Sequence, residues 1–383
     1  MKHKIYFLLL VFLPIFSTQN LFASGGENMR YTDRVMHHIG NANEFHIVGD
    51  VYLPLPCILY GKEGSFDVFM SSAFEHGHKA VKGYVLDHSV VKRIVSPEHR
   101  GVEHIDSTGV IKNAEGHEVP VAYAHGEVIE LERPSTLIKS SSWIDFSISK
   151  NVFSMLLSVI ILFVIFGIVS KSYKGNIDKA PKGLQGLIEP IIIFLRDDVV
   201  KPSIGKNYEK YFPYILTVFF FILVNNLLGL IPFFPGSANV TGNVGTTLAL
   251  AVFTFIIVNV SANKHYWQHV LWMPGIPAFV KIILTPVEIA GLFIKPFTLF
   301  IRLFANITAG HIIILSLIGL IFMFGKNGES LPGSIGGIAL AVPFVFMMNF
   351  LELLVAFLQA FIFALLSSIY IGSAIEEHHE AHH

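Results

Sequence analysis

Four charged residues, Lys281, Glu288, Lys295 and Arg302, stand seven apart inside an otherwise apolar run at 276–324. On a straight helix seven residues turn through roughly 700°, so each charge lags its predecessor by only about 20° and the four share one slowly winding stripe. The run is longer than the roughly 20 apolar residues that cross a bilayer. A charge at the bilayer centre costs about 2.5–3.5 kcal/mol on insertion scales, so such residues face a partner or a water-filled cavity. Arg302 is the sharpest case, because a guanidinium stays charged at every accessible pH. A negative group has to meet it within the membrane.

Other polar residues of this region fit around that arginine. Asn306 is four residues beyond Arg302 and falls on its face. His311 is nine residues beyond, on the opposite face and about 13.5 Å further along the axis. A second long apolar run, 338–373, carries Glu352 and Gln359, again seven apart and on one face. If the two runs pack as antiparallel helices, Glu352 reaches the level of His311 and Gln359 the level of Arg302. A histidine and a carboxylate at one level titrate as a coupled pair and pass a proton in either direction, whereas the arginine only attracts a carboxylate and repels cations. The pattern describes two dead-end proton paths separated by a fixed cation. Each member also has a plain reading: His311 hydrogen-bonded between helices, Asn306 and Gln359 as helix–helix contacts, Glu288 and Lys295 paired with each other or snorkelling to an interface.

The elements that position these residues follow from composition. The chain has 383 residues, 52% hydrophobic and 14% charged, with a net charge of −1, and a mean hydropathy of +0.59. That composition indicates a membrane protein with a soluble part and no nucleic-acid footprint. A single cysteine, Cys57, excludes an internal disulfide. Phosphate-cradling and nucleophile-elbow motifs are missing from the sequence, so no cofactor is expected.

Residues 1–23 read as a secretory signal peptide, and 24–145 as a small, mostly β extramembrane domain holding ten of the eighteen histidines. Stretches such as FHIVGDVYLPL, GYVLDHSVVKRIV and HEVPVAYAHGEVIEL alternate apolar and polar residues between turn formers. His76 with His78, or His37 with His38, could hold a metal, but without companions at a zinc spacing solvated histidines are the expected state and no metal site is assigned. Apolar runs at 151–170, 211–231, 244–263, 276–324 and 338–373 predict five spans in a membrane domain covering 146–377. The segment 183–200 is too short and too charged to span and reads as an interfacial helix. Lys171, Lys174, Lys179 and Lys182 after the first span predict a cytoplasmic end there, an N-terminal domain outside, and a cytoplasmic tail at 378–383. Asn225 and Asn226 are costly in lipid, so at least one should face other helices or water. The NVT at Asn239 reads as a turn rather than a glycosylation site.

The segment KPFTLFIRLFANITAGH, with the later FLELLVAFLQAFIFALLSSIYI, resembles subunit a of the F-type ATP synthase; NLLGLIP and PVEIAG fit the same family. The likeness is specific over roughly 205–377 and looser over 150–204, and it says nothing of 24–145. It implies an all-α polytopic membrane protein whose last two helices are long, tilted and wrapped against a rotating ring of subunit c. Subunit b of the peripheral stalk and the rest of the synthase are the further partners implied, with protons and the lipid bilayer around them, in a bacterial inner membrane. By this resemblance Arg302 matches the essential arginine, with Asn306 and Gln359 as polar neighbours. His311 and Glu352 match the pair lining the outer half-channel, Glu288 an acidic position near the inner exit, and Asn226 a polar position on the outer access side. Gly229 stands where some relatives are acidic. The subunit so implied moves protons and is not itself the catalyst for ATP.

The alternative class is a secondary transporter with a mid-membrane charged site. Such folds carry paired repeats, and the two halves of this chain lack self-similarity. A membrane-anchored metal-binding or sensory protein is a third reading, motivated by the external histidines.

Overall fold

A computed structural model describes residues 41–48, 51–87, 90–112, 117–135, 140–175, 180–231, 236, 238–273, 276–326 and 329–376. The signal-peptide reading, His37, His38 and the tail at 378–383 lie outside them. The described chain divides into two compact units, one ending at Phe153 and taking in 232–238, the other comprising Ser154–Ile231 and Asn239 onward.

The first unit is built of strands. The alternating stretches form hairpins as their patterning predicts: β1 (Glu44–Val48) with β2 (Val51–Pro54), β3 (Pro56–Gly61) with β4 (Phe66–Met70), and β5 (Tyr84–Asp87) with β6 (Val90–Ile94). β7 (Ser107–Lys112), β8 (Glu118–Ala124) and β9 (Glu127–Glu132) form an antiparallel meander, and β10 (Trp143–Asp145) returns to pair with β3. The strands assort into a pair β1-β2, a three-stranded sheet β10-β3-β4 and a five-stranded sheet β5-β6-β9-β8-β7. Because side chains alternate across a strand, β5 is buried on both faces. Tyr84 and Leu86 pack with Cys57, Leu59, Phe74 and Trp143, whereas Val85 packs on the other side with Ile94, Ile105 and Ile129. Two charged contacts close this core: Lys92 donates to Asp87, both buried, and Arg93 bonds Glu63 while lying 5.6 Å from the centre of the Tyr84 ring. Burial pushes the Cys57 thiol up to about 12, with the nearby Asp145 charge acting in the same direction.

The second unit is helical. Among the described residues, five helical stretches are long and apolar enough to cross a membrane. They contain α1 (Lys150–Gly175); α2 (Leu184–Phe194) leading into α3 (Tyr208–Gly229); α4 (Val244–Ser261), followed by the short α5 (Lys264–Trp272); α6 (Ala278–Phe324); and α7 (Leu331–Ile375). At 1.5 Å per residue, α6 and α7 are each roughly 70 Å long, more than twice the roughly 30 Å hydrocarbon layer. The chain is a mostly helical polytopic membrane protein with a strand-rich N-terminal region.

The segment expected as an interfacial helix is helical, and its helix runs on past residue 200. α2 continues through a π-helical turn at Leu195–Val200, a short helix at Lys201–Ile204 and a 3₁₀ turn into α3. Asp197 accepts hydrogen bonds from Arg196 at 2.8 Å and Lys201 at 2.6 Å. With its charges met locally, the segment turns Leu195, Val199, Val200 and Ile204 into the helical core. α4 starts where Asn243 Oδ1 accepts from the N–H of Gly245 and Thr246, and α7 where the Ser330 side chain accepts from Gly333 N–H. Asn239 is a turn residue, as its sequence suggests: it is buried, and its Oδ1 accepts from Gly242 N–H at 2.8 Å.

Candidate functional site

α7 is positioned by its small residues. Ala356, Ala360, Ala364, Ser368 and Gly372 recur every fourth position, and all five are buried. Without a hydrophobic drive between helices in lipid, close backbone approach through small residues is what holds them together. At Gly372 the approach is tightest: a Cβ there would collide with the Ser203 carbonyl oxygen and lie 2.9 Å from its carbon. This face is shared by Glu352 and Gln359, since Glu352 precedes Ala356 by one turn and Gln359 adjoins Ala360. Their exposures are only 9% and 4%.

α3 fastens the backbone between them. Asn226, 4% exposed, donates from Nδ2 to the Ala356 carbonyl at 3.0 Å, and its Oδ1 accepts from the Thr241 hydroxyl at 2.6 Å. Asn225 turns the other way and donates to Ser158 Oγ of α1 at 2.9 Å. Both expensive amides therefore face other helices. At the far end Asn263 donates to the Ala374 and Ile375 carbonyls at 2.9 and 2.7 Å, satisfying the last turn of α7.

The carboxylate of Glu352 lies against Gly310, the residue before His311. A Cβ on Gly310 would run into Oε1 and stand 3.1 Å from both Cδ and Cγ. Glu352 and His311 thus occur at one level of the α6–α7 contact, as antiparallel packing of the two runs predicts. Thr308, two residues earlier, donates to the Gly242 carbonyl at 3.5 Å and ties this level to the turn before α4.

The charge stripe of α6 resolves into separate contacts. Lys281 lies over the Trp272 ring, 4.9 Å from its centre. Lys295 lies over Tyr266 and Tyr370 at 5.9 and 5.6 Å. Glu288 is near enough to Tyr266 to act on it electrostatically. Pairing of Glu288 with Lys295 is not among the described ion pairs, because the lysine is already taken up by two rings from α5 and α7. Around it, Asn259, Tyr266, Lys295 and Tyr370 line a narrow crevice. Arg302, half-buried, acts electrostatically on Tyr370, yet no carboxylate among the described residues lies within ion-pair reach of it. Asn306, one turn on, is exposed. The arrangement can do two things chemically: hold a titratable carboxylate in the helix contact against Gly310, one residue before a histidine, and present a cation with no carboxylate beside it among the described residues.

Gly310, Thr241 and the Tyr266–Tyr370 pair are parts of this arrangement that sequence patterning passes over. The fourfold spacing of small residues on α7 was a readable signal for its buried face. His76, a candidate metal ligand, packs against Tyr52 with ring centres 4.5 Å apart and planes tilted by 46°, and lies 3.9 Å from Glu44. Among the described residues no three histidine, cysteine or acidic side chains gather as metal ligands.

Residues 152–372 match the family described as ATP synthase A chain, and residues 34–119 match a domain of unknown function (DUF8433). The chain is 48% identical over 244 residues to the ATP synthase subunit a of Chlorobium phaeobacteroides (strain BS1), an overlap of 62% of this chain and 69% of that one. It is 46% identical over 246 residues to ATP synthase subunit a 2 of Chlorobaculum tepidum, covering 62% and 66% of the two chains. Against the ATP synthase subunit a of Myxococcus xanthus the identity is 39% over 251 residues, covering 62% and 77%. The matched region takes in the helical unit as far as Gly372, with its two longest helices and its buried carboxylate, and the chain belongs to the ATP synthase A chain family.

Proposed function

We propose that this chain is the proton-translocating stator of the ATP synthase membrane sector, supplying two half-channels to a ring of c subunits and coupling proton flow to rotation. The observation that carries this reading is Arg302: a permanent cation on a long membrane helix with no carboxylate among the described residues within ion-pair reach. A carboxylate arriving on another protein supplies the missing charge. In this reading a proton enters at Glu352 and His311, neutralises a ring carboxylate, and leaves past Glu288 after nearly a full turn of the ring. Arg302 keeps the passing carboxylate ionised and separates the two paths, with Asn306 and Gln359 as its polar neighbours. Asn226 holds the α7 backbone between the two levels.

Magnitudes support a hydrated encounter. Opposite charges about 4 Å apart attract by about 4 kcal/mol at an effective dielectric of 20, and more strongly as the site dries. The membrane potential supplies about 2.3 kcal/mol per charge per 100 mV, so about 200 mV supplies about 4.6 kcal/mol. That drive is of the size needed to break the hydrated pair, whereas a drier pair would hold the rotor more firmly.

The partners follow from this role: the c-ring, subunit b of the peripheral stalk and the remaining synthase, which itself carries the ATP chemistry. We place residues 1–23 as a signal peptide, 24–145 outside a bacterial inner membrane, 146–377 within it and 378–383 in the cytoplasm. The test is Arg302→Ala in inverted vesicles. The expected outcome is an assembled complex that no longer couples ATP hydrolysis to acidification; normal coupling in that variant refutes the assignment.

A further inference from the structure

The sheet β10-β3-β4 has two unlike faces. One carries Cys57, Leu59 and Trp143 into the core. On the other, the register aligns Tyr60 with Ile144 and Phe66, so that one row crosses all three strands. The ladder then continues past β10: Phe146 N–H donates to the Ile58 carbonyl at 2.9 Å and Ile148 N–H to the Pro56 carbonyl at 3.0 Å. Two further rows result, one with Phe146 and Val68 at its edges, the other with Ile148 and Met70. Every side chain in the three rows is apolar, and none is buried. Phe66 is 64% exposed, Val68 55% and Phe146 60%. On the five-stranded sheet, by contrast, the exposed Val110 and Val128 stand among exposed charged or polar neighbours such as Lys112, Glu127 and Glu130.

A contiguous apolar face of this kind marks a contact rather than a water-facing surface. The course of the chain says with what. Ile148 precedes Lys150, the first residue of the spanning helix α1, by two residues. At no more than about 3.6 Å per residue, the nearest row sits within about 7 Å of that helix. At 1.5 Å per residue α1 is about 39 Å long, only about 9 Å more than the hydrocarbon layer. The headgroup zone is roughly 5–7 Å deep on each side, so this row lies in or beside that zone. Aromatic and aliphatic side chains together, with no charge among them, match the headgroup–acyl boundary. We infer that the apolar face of β10-β3-β4 is a membrane-seating surface, resting on the lipid around the start of α1.

The test uses the complete chain within its assembled complex, in nanodiscs of phosphatidylethanolamine and phosphatidylglycerol. Val68→Cys, Met70→Cys and Val110→Cys are labelled separately with an environment-sensitive nitrobenzoxadiazole dye. The native Cys57 is 0% exposed and stays unlabelled. Dyes at 68 and 70 are expected to emit to the blue of the dye at 110, and to lose emission when the lipids carry brominated acyl chains. The inference is overturned if 68 and 70 are as water-exposed as 110. It is equally overturned if they are shielded yet unquenched by brominated lipid, since a protein then covers the face.

Discussion

Gly310→Ala tests the reading of Glu352 at its most specific point. The new Cβ would run into Oε1 and lie 3.1 Å from Cδ and Cγ, and all of these atoms belong to the flexible end of a side chain. Overpacking of a tight contact costs about 1–3 kcal/mol. Replacing glycine by alanine inside a helix returns about 1 kcal/mol. The net penalty of about 0–2 kcal/mol is too small to prevent assembly, and it is met by swinging Glu352 off its present position. Misplacing a reacting group by about 1 Å can cost about 10²-fold in rate. The expected result is therefore a complex assembled at normal levels whose passive proton conduction, measured in vesicles stripped of the catalytic sector, falls by roughly ten- to a hundredfold. The double variant Gly310→Ala with Glu352→Asp, one methylene shorter, should recover part of the loss. Wild-type conduction in the single variant would refute the assignment of this contact to the proton path. Loss of assembly would show the contact to be structural instead.

Three further outcomes follow from the packing. Gly372→Ala sets a Cβ against the backbone of Ser203, which cannot rotate away, so thermal unfolding in nanodiscs should show a lowered melt, the about 1–3 kcal/mol of an overpacked core exceeding the about 1 kcal/mol that alanine returns in a helix; Gly167→Ala, inside α1 with nothing within 4 Å, should raise the melt by that about 1 kcal/mol. Asn226→Leu deprives the Ala356 carbonyl and the Thr241 hydroxyl of their partner, a loss of about 1–3 kcal/mol read as a lowered melting temperature together with slower conduction. Cys57 should resist alkylation in the folded chain at pH 8 and react at once in denaturant. Its folded thiol titrates near 12 against an ordinary 9.0, so above pH 9 the unfolded chain alone sheds the proton and the strand domain loses stability; Cys57→Ala should flatten that part of the alkaline unfolding curve.

Much of the architecture could be read along the chain because its signals are local. Alternation in FHIVGDVYLPL and HEVPVAYAHGEVIEL became the β1-β2 and β8-β9 hairpins, and the expected span at 276–324 became α6 within two residues. The last helix begins at Leu331 rather than 338, because Ser330 caps it and Pro332 is acceptable in a first turn, where its missing N–H costs nothing. What the sequence hid depends on residues far apart in the chain. Lys295 could be expected to seek Glu288, seven residues away, but it stacks on Tyr266 and Tyr370. Gly310 offers no pattern of its own; its meaning comes from a glutamate 42 positions later. Asn226 reads only as an expensive amide until the carbonyl it holds is known.

The unmatched guanidinium also bears on how such a complex is put together. On the function proposed above, a copy of this chain inserted without a ring would keep an insertion penalty of about 2.5–3.5 kcal/mol that no carboxylate among the described residues offsets. Orphan copies would then be the less stable ones, open to membrane proteases, while copies that meet a ring would be protected. The arginine proposed to separate the two paths would in this way also ration the subunit, matching its abundance to that of the ring without a dedicated sensor.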